Sequence, residues 1–370
     1  MNSKILGFIV LTVAVVIIGF VLYDGEGEDN RGITVVSWGG AYKKSQEEAY
    51  HKPWVAMTGR GINSVDYNGG LAEIKAQVES GNVTWDAVDL ETSDAQRGCD
   101  EGLFEEIDFS KQSPAPDGTP AVKDFLPGSL IPCAVPSIVW STIYAYDKNK
   151  FLGNAPTTIE DFFNTTKFPG KRGMRKIPKT TLEIALMGDG VAPEDVYDML
   201  STKVGIDRAF AKLNSIKDDI LWWEAGAQPP QMLADGEVSM SVAFNGRIFN
   251  AAIKEGKPFE IVWDGQIFDI DLWAIPKGSR NKDLALDFIT FASDTQRLAD
   301  QAQYISYGPA RLSSIPLVGK DKETGVDMAP HLPTAPQNLK KSLQSNSEWW
   351  ADHQDEMNER FNAWLVQAGS

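Results

Sequence analysis

ITVVS (33–37), INSV (62–65) and DAVDL (86–90) are three short runs rich in Val, Ile and Leu, and the stretches between them, 41–57 and 71–80, carry the apolar period of helices. The reading is therefore β-α-β-α-β. Repeated alternation of this kind predicts an α/β fold with a largely parallel sheet, its faces covered by helices. Downstream, IVWSTIYAYD (138–147) is β-rich and ends in a polar turn, which places a boundary there. A second alternating block follows: helices over 194–200 and 206–213, a strand VSMSVAF (238–244), a helix over 248–255 and a strand LWAIP (272–276). Amphipathic helices are expected over 283–291, 294–302 and 348–366. No internal repeat links the two blocks.

Upstream, residues 5–23 form an uncharged apolar run with Lys4 before it and Asp24, Glu26, Glu28 and Asp29 after it. Its length suits a membrane-crossing helix, and the flanking charges place the body outside the cytoplasm. We read it as an export signal that stays uncleaved and tethers the protein to the inner membrane, with cleavage as the alternative. The expected division is 1–32 as signal or anchor helix and linker, 33–145 with 272–310 as lobe 1, and 146–271 with 311–370 as lobe 2 with the C-terminal helices. A chain of 370 residues, 42% of them hydrophobic, can build two such lobes.

Acidic residues outnumber basic ones 51 to 35, for a formal charge of −16, and this argues against a nucleic-acid partner. Cys99 and Cys133 are the only cysteines, and in an exported chain they are expected to form one disulfide. Two cysteines and three scattered histidines, His51, His331 and His353, make a poor metal kit, so no metal is expected. No cofactor is implied either. There is no Walker loop, GxGxxG, HExxH or GxSxG, which points away from catalysis.

What stands out is polar and aromatic chemistry at strand ends, where open α/β sheets bind ligands. Trp38, Gly39, Gly40 and Tyr42 follow the first strand; Glu91, Thr92 and Ser93 follow the third; Phe244, Asn245, Gly246 and Arg247 follow the strand at 238. In WDGQIFDIDLWAIP (263–276), Asp264, Asp269 and Asp271 stand among Ile, Phe, Leu and Trp, where an unpaired carboxylate is costly to bury. Either an ammonium ligand or a salt bridge of the protein itself must neutralise them. The basic tract Lys171, Arg172, Arg175, Lys176 is read mainly as a solvated turn or docking face, with a role as a carboxylate partner as the alternative.

From VVSWGGAY (35–42) through WDAVDLETSDAQRGCDEGLFEEID (85–108), PSIVWSTIYAYD (136–147), FPGKRGMRKIP (168–178), LADGEVSMSVAFNGRIFNA (233–251) and WDGQIFDIDLWAIPKG (263–278) to ISYGPA (305–310), the chain resembles the spermidine/putrescine-binding type of periplasmic solute-binding protein. The resemblance implies the type II periplasmic-binding-protein fold, two α/β lobes closing by a hinge. It also implies a periplasmic monomer that binds a small amine, delivers it to the permease of an ABC importer and catalyses nothing. By this resemblance Trp38, Tyr42, Glu91, Ser93, Phe244, Tyr307 and Trp350 line the cleft, and Asp271 holds the ligand's amine. The chain departs from the pattern in carrying Asp269 where an aromatic is common, Thr180 or Thr181 where an acid is common, and the positive Arg247. A diamine needs an anion near each end, which Asp271 with Asp269 and Glu91 supply. A zwitterionic ω-amino acid such as γ-aminobutyrate instead needs one carboxylate and one cation, for which Arg247 is the candidate. Polyamine is the first expectation and the ω-amino acid the second; a tethered sensor without transport is a third.

Overall fold

The first three runs form strands β1 (Ile33–Ser37), β2 (Ile62–Asp66) and β3 (Ala87–Glu91), parallel, with β1 in the middle. The computed structural model describes residues 32–366, and the apolar helix expected over 5–23 lies outside them. Every residue of β3 is buried, as its continuous apolar run requires. The helix expected over 41–57 is a helical rod from Gly40 to Thr58 that widens into a π turn at Glu47–His51. Pro53, with no N–H to give to the preceding turn, follows that widening directly.

The remaining strands are β4 (Ala134–Asp147), β5 (Arg172–Arg175), β6 (Ile220–Trp223), β7 (Met240–Phe244), β8 (Phe259–Ala274), β9 (Gly308–Pro309) and β10 (Ser342–Gln344). They join one mixed sheet in the order β2-β1-β3-β8-β4-β7-β5-β6, with β10 beside β8 and β9 beside β4. The two longest strands, β4 and β8, pair antiparallel from Ala134 opposite Ala274 to Asp147 opposite Phe259, with a break between Thr142 and Tyr144 where residues 263–266 of β8 leave the ladder. The far end of β8 also pairs with β3, placing Glu91 opposite Asp271.

Two sets of apolar cores divide near the middle of this strand pair. On one side, residues between 143 and 267 pack with 343–364. On the other, residues between 33 and 139 pack with 270–310. Between them, Tyr42, Ile138, Trp140, Ile305 and Tyr307 make a small cluster against which Trp38 and Phe244 pack. Cys99 and Cys133 are bonded, with Cα atoms 5.9 Å apart, tying the helix Thr92–Asp100 to the residue before β4.

Several elements differ from expectation. LWAIP is not a strand of its own: β8 begins at Phe259 and ends at Ala274. Its interior carboxylates break the apolar pattern, yet most of the strand is buried because partners elsewhere satisfy them. The tract 171–176 is no solvated turn. It contains β5, whose residues are all buried. Arg172 is fully buried and donates to the carbonyls of Phe162, Gly170 and Phe168, at 2.6, 2.6 and 2.5 Å, so its guanidinium is a structural clamp. The helix Thr181–Gly188 was not foreseen, because all its residues are buried and it has no polar face from which a helical period is read.

Candidate functional site

Where the two sets of cores meet, Trp38, Tyr42, Glu91, Trp140, Phe244, Arg247, Asp271 and Tyr307 surround one cavity. The cavity is narrow, so its walls must part to admit an organic solute. Strand ends supply the wall. Trp38 and Tyr42 follow β1, Glu91 ends β3, Phe244 ends β7, and Arg247 lies in the first turn of the short helix Asn245–Phe249.

Five aromatic rings form the apolar part. Tyr42 meets Tyr307 edge-on at 5.3 Å and Trp140 meets Phe244 edge-on at 5.1 Å, while Trp38 leans on Tyr67 at 5.0 Å. The Arg175 and Arg247 guanidiniums lie 5.4 and 6.0 Å from the Phe244 centroid. That ring is therefore already shared between two cations, which leaves the Trp140 side as the better surface for a ligand's positive charge.

The charged groups fall into two sets. Asp271 is buried and accepts a hydrogen bond from Trp140 Nε1 at 2.6 Å. Among the described residues no cation lies within 4.0 Å of it. Burial, reinforced by Asp89, Glu91 and Asp269 nearby, pushes its carboxyl well above the usual range. Asp89 behind it is raised by burial too, although Tyr42 (2.7 Å), Gln46 (2.5 Å) and Ser37 (3.5 Å) donate to it. Glu91 and Asp269 differ from Asp271 because both are paired. Lys179 Nζ donates to Glu91 at 2.8 Å, Ser93 Oγ at 2.8 Å and Asp269 at 3.0 Å, and Arg175 reaches Glu91 at 3.2 Å. Burial alone pushes Glu91 up, but the Lys179 and Arg175 cations outweigh it and bring its carboxyl down to about 2.

Arg247 is the counterpart of Asp271. It is buried, and among the described residues it has no carboxylate within 4.0 Å. Its Nη1 and Nη2 donate to the carbonyls of Gly39 at 3.2 Å and Trp38 at 2.9 Å, across the meeting of the cores. Both terminal nitrogens of its guanidinium are thus engaged by backbone carbonyls. Arg247 Nε and Trp38 Nε1 remain as buried donors without a partner. Trp223 Nε1, Trp273 Nε1 and Arg311 Nε in the cores are in the same position.

Of the residues singled out in the sequence, Trp38, Tyr42, Glu91, Phe244, Arg247, Asp271 and Tyr307 thus line the cavity together. Ser93 and Asp269 stand behind it, engaged by Lys179. Trp350 does not reach it: its buried indole donates to Glu183 at 2.6 Å, and it borders an outer groove instead. Trp140 and Lys179 were missed. Trp140 is brought to Asp271 only by the β4–β8 register, which cannot be read along one chain. Lys179 lies just past β5, and the strand-end rule that found the others points to it once β5 is recognised.

The family model for bacterial extracellular solute-binding proteins matches residues 49–334. A γ-aminobutyric acid-binding protein of Pseudomonas aeruginosa is 48% identical over 338 residues, covering 91% of this chain and 92% of the relative. The solved structure of a GABA receptor shares 32% identity with a TM-score of 0.76, covering 90% of this chain and 97% of the other. A spermidine/putrescine-binding periplasmic protein of Salmonella typhimurium is 26% identical over 170 residues, 43% of this chain and 46% of the relative.

Proposed function

Because this chain belongs to the bacterial extracellular solute-binding proteins, binding proteins of ABC importers and not enzymes, we propose that it receives a short zwitterionic ω-amino acid of the γ-aminobutyrate type and passes it to a permease. One observation carries the reading: the same cavity is lined by a buried carboxylate with no cation within 4.0 Å among the described residues, Asp271, and a buried guanidinium with no carboxylate within that distance, Arg247. The solute's ammonium goes to Asp271 against Trp140, and its carboxylate goes to the Arg247 side. Such charge-assisted bonds inside apolar walls are the strong ones.

The same chemistry disfavours a diamine, which was the first expectation. A second ammonium needs a second free anion, and Glu91 and Asp269 are both held by Lys179. The names of the P. aeruginosa relative and of the solved receptor agree with this choice. In this reading the two sets of cores are two lobes, β4 and β8 are the crossover strands, and opening at their middles admits the solute.

Calorimetry on Asp271→Asn and Arg247→Met tests the assignment. Removing one partner of a desolvated ion pair costs about 2–5 kcal/mol, so each change should weaken γ-aminobutyrate roughly 30-fold to several thousand-fold. Binding by either folded variant at the parent's affinity contradicts the site.

A further inference from the structure

Lys179 is buried, with 7% of its side chain exposed, and it is coordinated as a bound ammonium ion would be. An ammonium has three N–H donors. Here three acceptors take them: Glu91 at 2.8 Å, Ser93 at 2.8 Å and Asp269 at 3.0 Å. Glu91 is also the wall shared by two spaces. Its inner side faces the cavity with Asp271, and its outer side faces a groove lined by Trp38, Asp94, Arg175, Lys179 and Trp350. On the outer side of Glu91 the Lys179 ammonium stands at 2.8 Å and the Arg175 guanidinium at 3.2 Å from its carboxylate.

We propose that Lys179 is a resident ammonium: it occupies the subsite in which the far amine of a diamine would bind, and so restricts the cavity to solutes with one ammonium. The proposal rests on the cavity being the solute site, as argued above. Charge supports it. Glu91 and Asp269 are offset by Arg175 and Lys179, so loss of Lys179 alone leaves one uncompensated negative charge at the cavity wall. An unpaired buried carboxylate is costly, and a diamine's second ammonium is the group that removes the cost.

The backbone supports it independently. Thr180, next in the chain, has φ 67°, the only positive value at a non-glycine among the described residues. Such a backbone conformation persists where surrounding contacts impose it. It is found where the chain turns from the end of β5 into the helix Thr181–Gly188, at the residue after the lysine whose ammonium points back at β3 and β8. A plain closing latch needs none of this selectivity. A latch also strengthens every ligand alike, whereas a resident ammonium changes the ratio between diamines and amino acids.

The test is calorimetry on the exported chain and on Lys179→Met with butylamine, putrescine, cadaverine and γ-aminobutyrate. In the parent, putrescine should bind no more tightly than butylamine, because Lys179 already holds the place of its second amine at Glu91 and Asp269. In Lys179→Met, putrescine or cadaverine should gain about 10–100-fold relative to γ-aminobutyrate, and adding Asp269→Asn should cancel the gain. A folded Lys179→Met with the parent's diamine preference overturns the proposal. So does a parent that binds putrescine tenfold or more tightly than butylamine, on the order expected of one added ion pair, a comparison that needs no variant. A parent silent to ω-amino acids whose Lys179→Met variant gains diamines sinks the proposed function alone; the converse pattern sinks this inference alone.

Discussion

Asp271 and Arg247 line one cavity, and among the described residues neither has an ion-pair partner. Burial first, then Asp89, Glu91 and Asp269, push the Asp271 carboxyl well above the ordinary carboxylate range, so it keeps its proton to a higher pH than a solvated Asp does. An ammonium beside it favours the ionised form, and that proton leaves on binding. Since the complex then holds fewer protons than the separate partners, affinity rises with pH until Asp271 is ionised in the free protein. Titration of γ-aminobutyrate at a series of pH values, in buffers of different ionisation enthalpy, should report proton release on binding that falls away as pH rises and is absent in Asp271→Asn. Proton uptake, or release that survives the substitution, removes Asp271 from the site. At this scale most of the cavity was legible. Trp38, Tyr42, Glu91, Phe244 and Arg247 follow strand ends, and Asp271 betrays itself as a carboxylate in an apolar run. Lys179 was not legible, because nothing local distinguishes it from a surface lysine: its three acceptors lie 86 to 90 residues away.

At the scale of elements, the short helix Asn245–Phe249 carries Arg247 into the cavity and does so by packing very closely. A Cβ on Gly246 meets Ile305 Cγ1 at 2.6 Å and Tyr307 Cε1 at 2.6 Å, so Gly246→Ala must displace the Tyr307 ring or shift the helix. Overpacking of this kind costs about 1–3 kcal/mol, and both movements disturb the wall. We expect thermal unfolding to show a modest loss of stability and calorimetry a weaker γ-aminobutyrate affinity; unchanged affinity means the wall is less rigid than the packing indicates. Strands read well where both faces are apolar, as in β1 and β3. β8 was read only in part, because Asp264, Asp269 and Asp271 look foreign to a strand until their partners are known: Lys341 at 3.2 Å, Lys179 at 3.0 Å and Trp140 at 2.6 Å. β5 was hidden for the opposite reason. Its two arginines suggest solvent, yet Arg172 satisfies three carbonyls and Arg175 a buried glutamate.

Over the whole molecule, the formal charge of −16 draws cations from a distance, and a dication more strongly than a zwitterion. Preference for an amino acid must therefore arise inside the cavity, where Lys179 and Arg175 have already answered two of the carboxylates. The Arg247 bonds to the carbonyls of Trp38 and Gly39 join both sets of cores beside the narrow cavity, and in the proposed reading these contacts part to admit the solute. The most direct test is one calorimetric comparison of the unmodified protein with γ-aminobutyrate and putrescine at the same pH and salt. The account predicts saturable one-to-one binding of γ-aminobutyrate and an affinity for putrescine at least about 30-fold weaker, the size expected when one ion pair cannot form. Putrescine binding as tightly as γ-aminobutyrate, or more so, contradicts it.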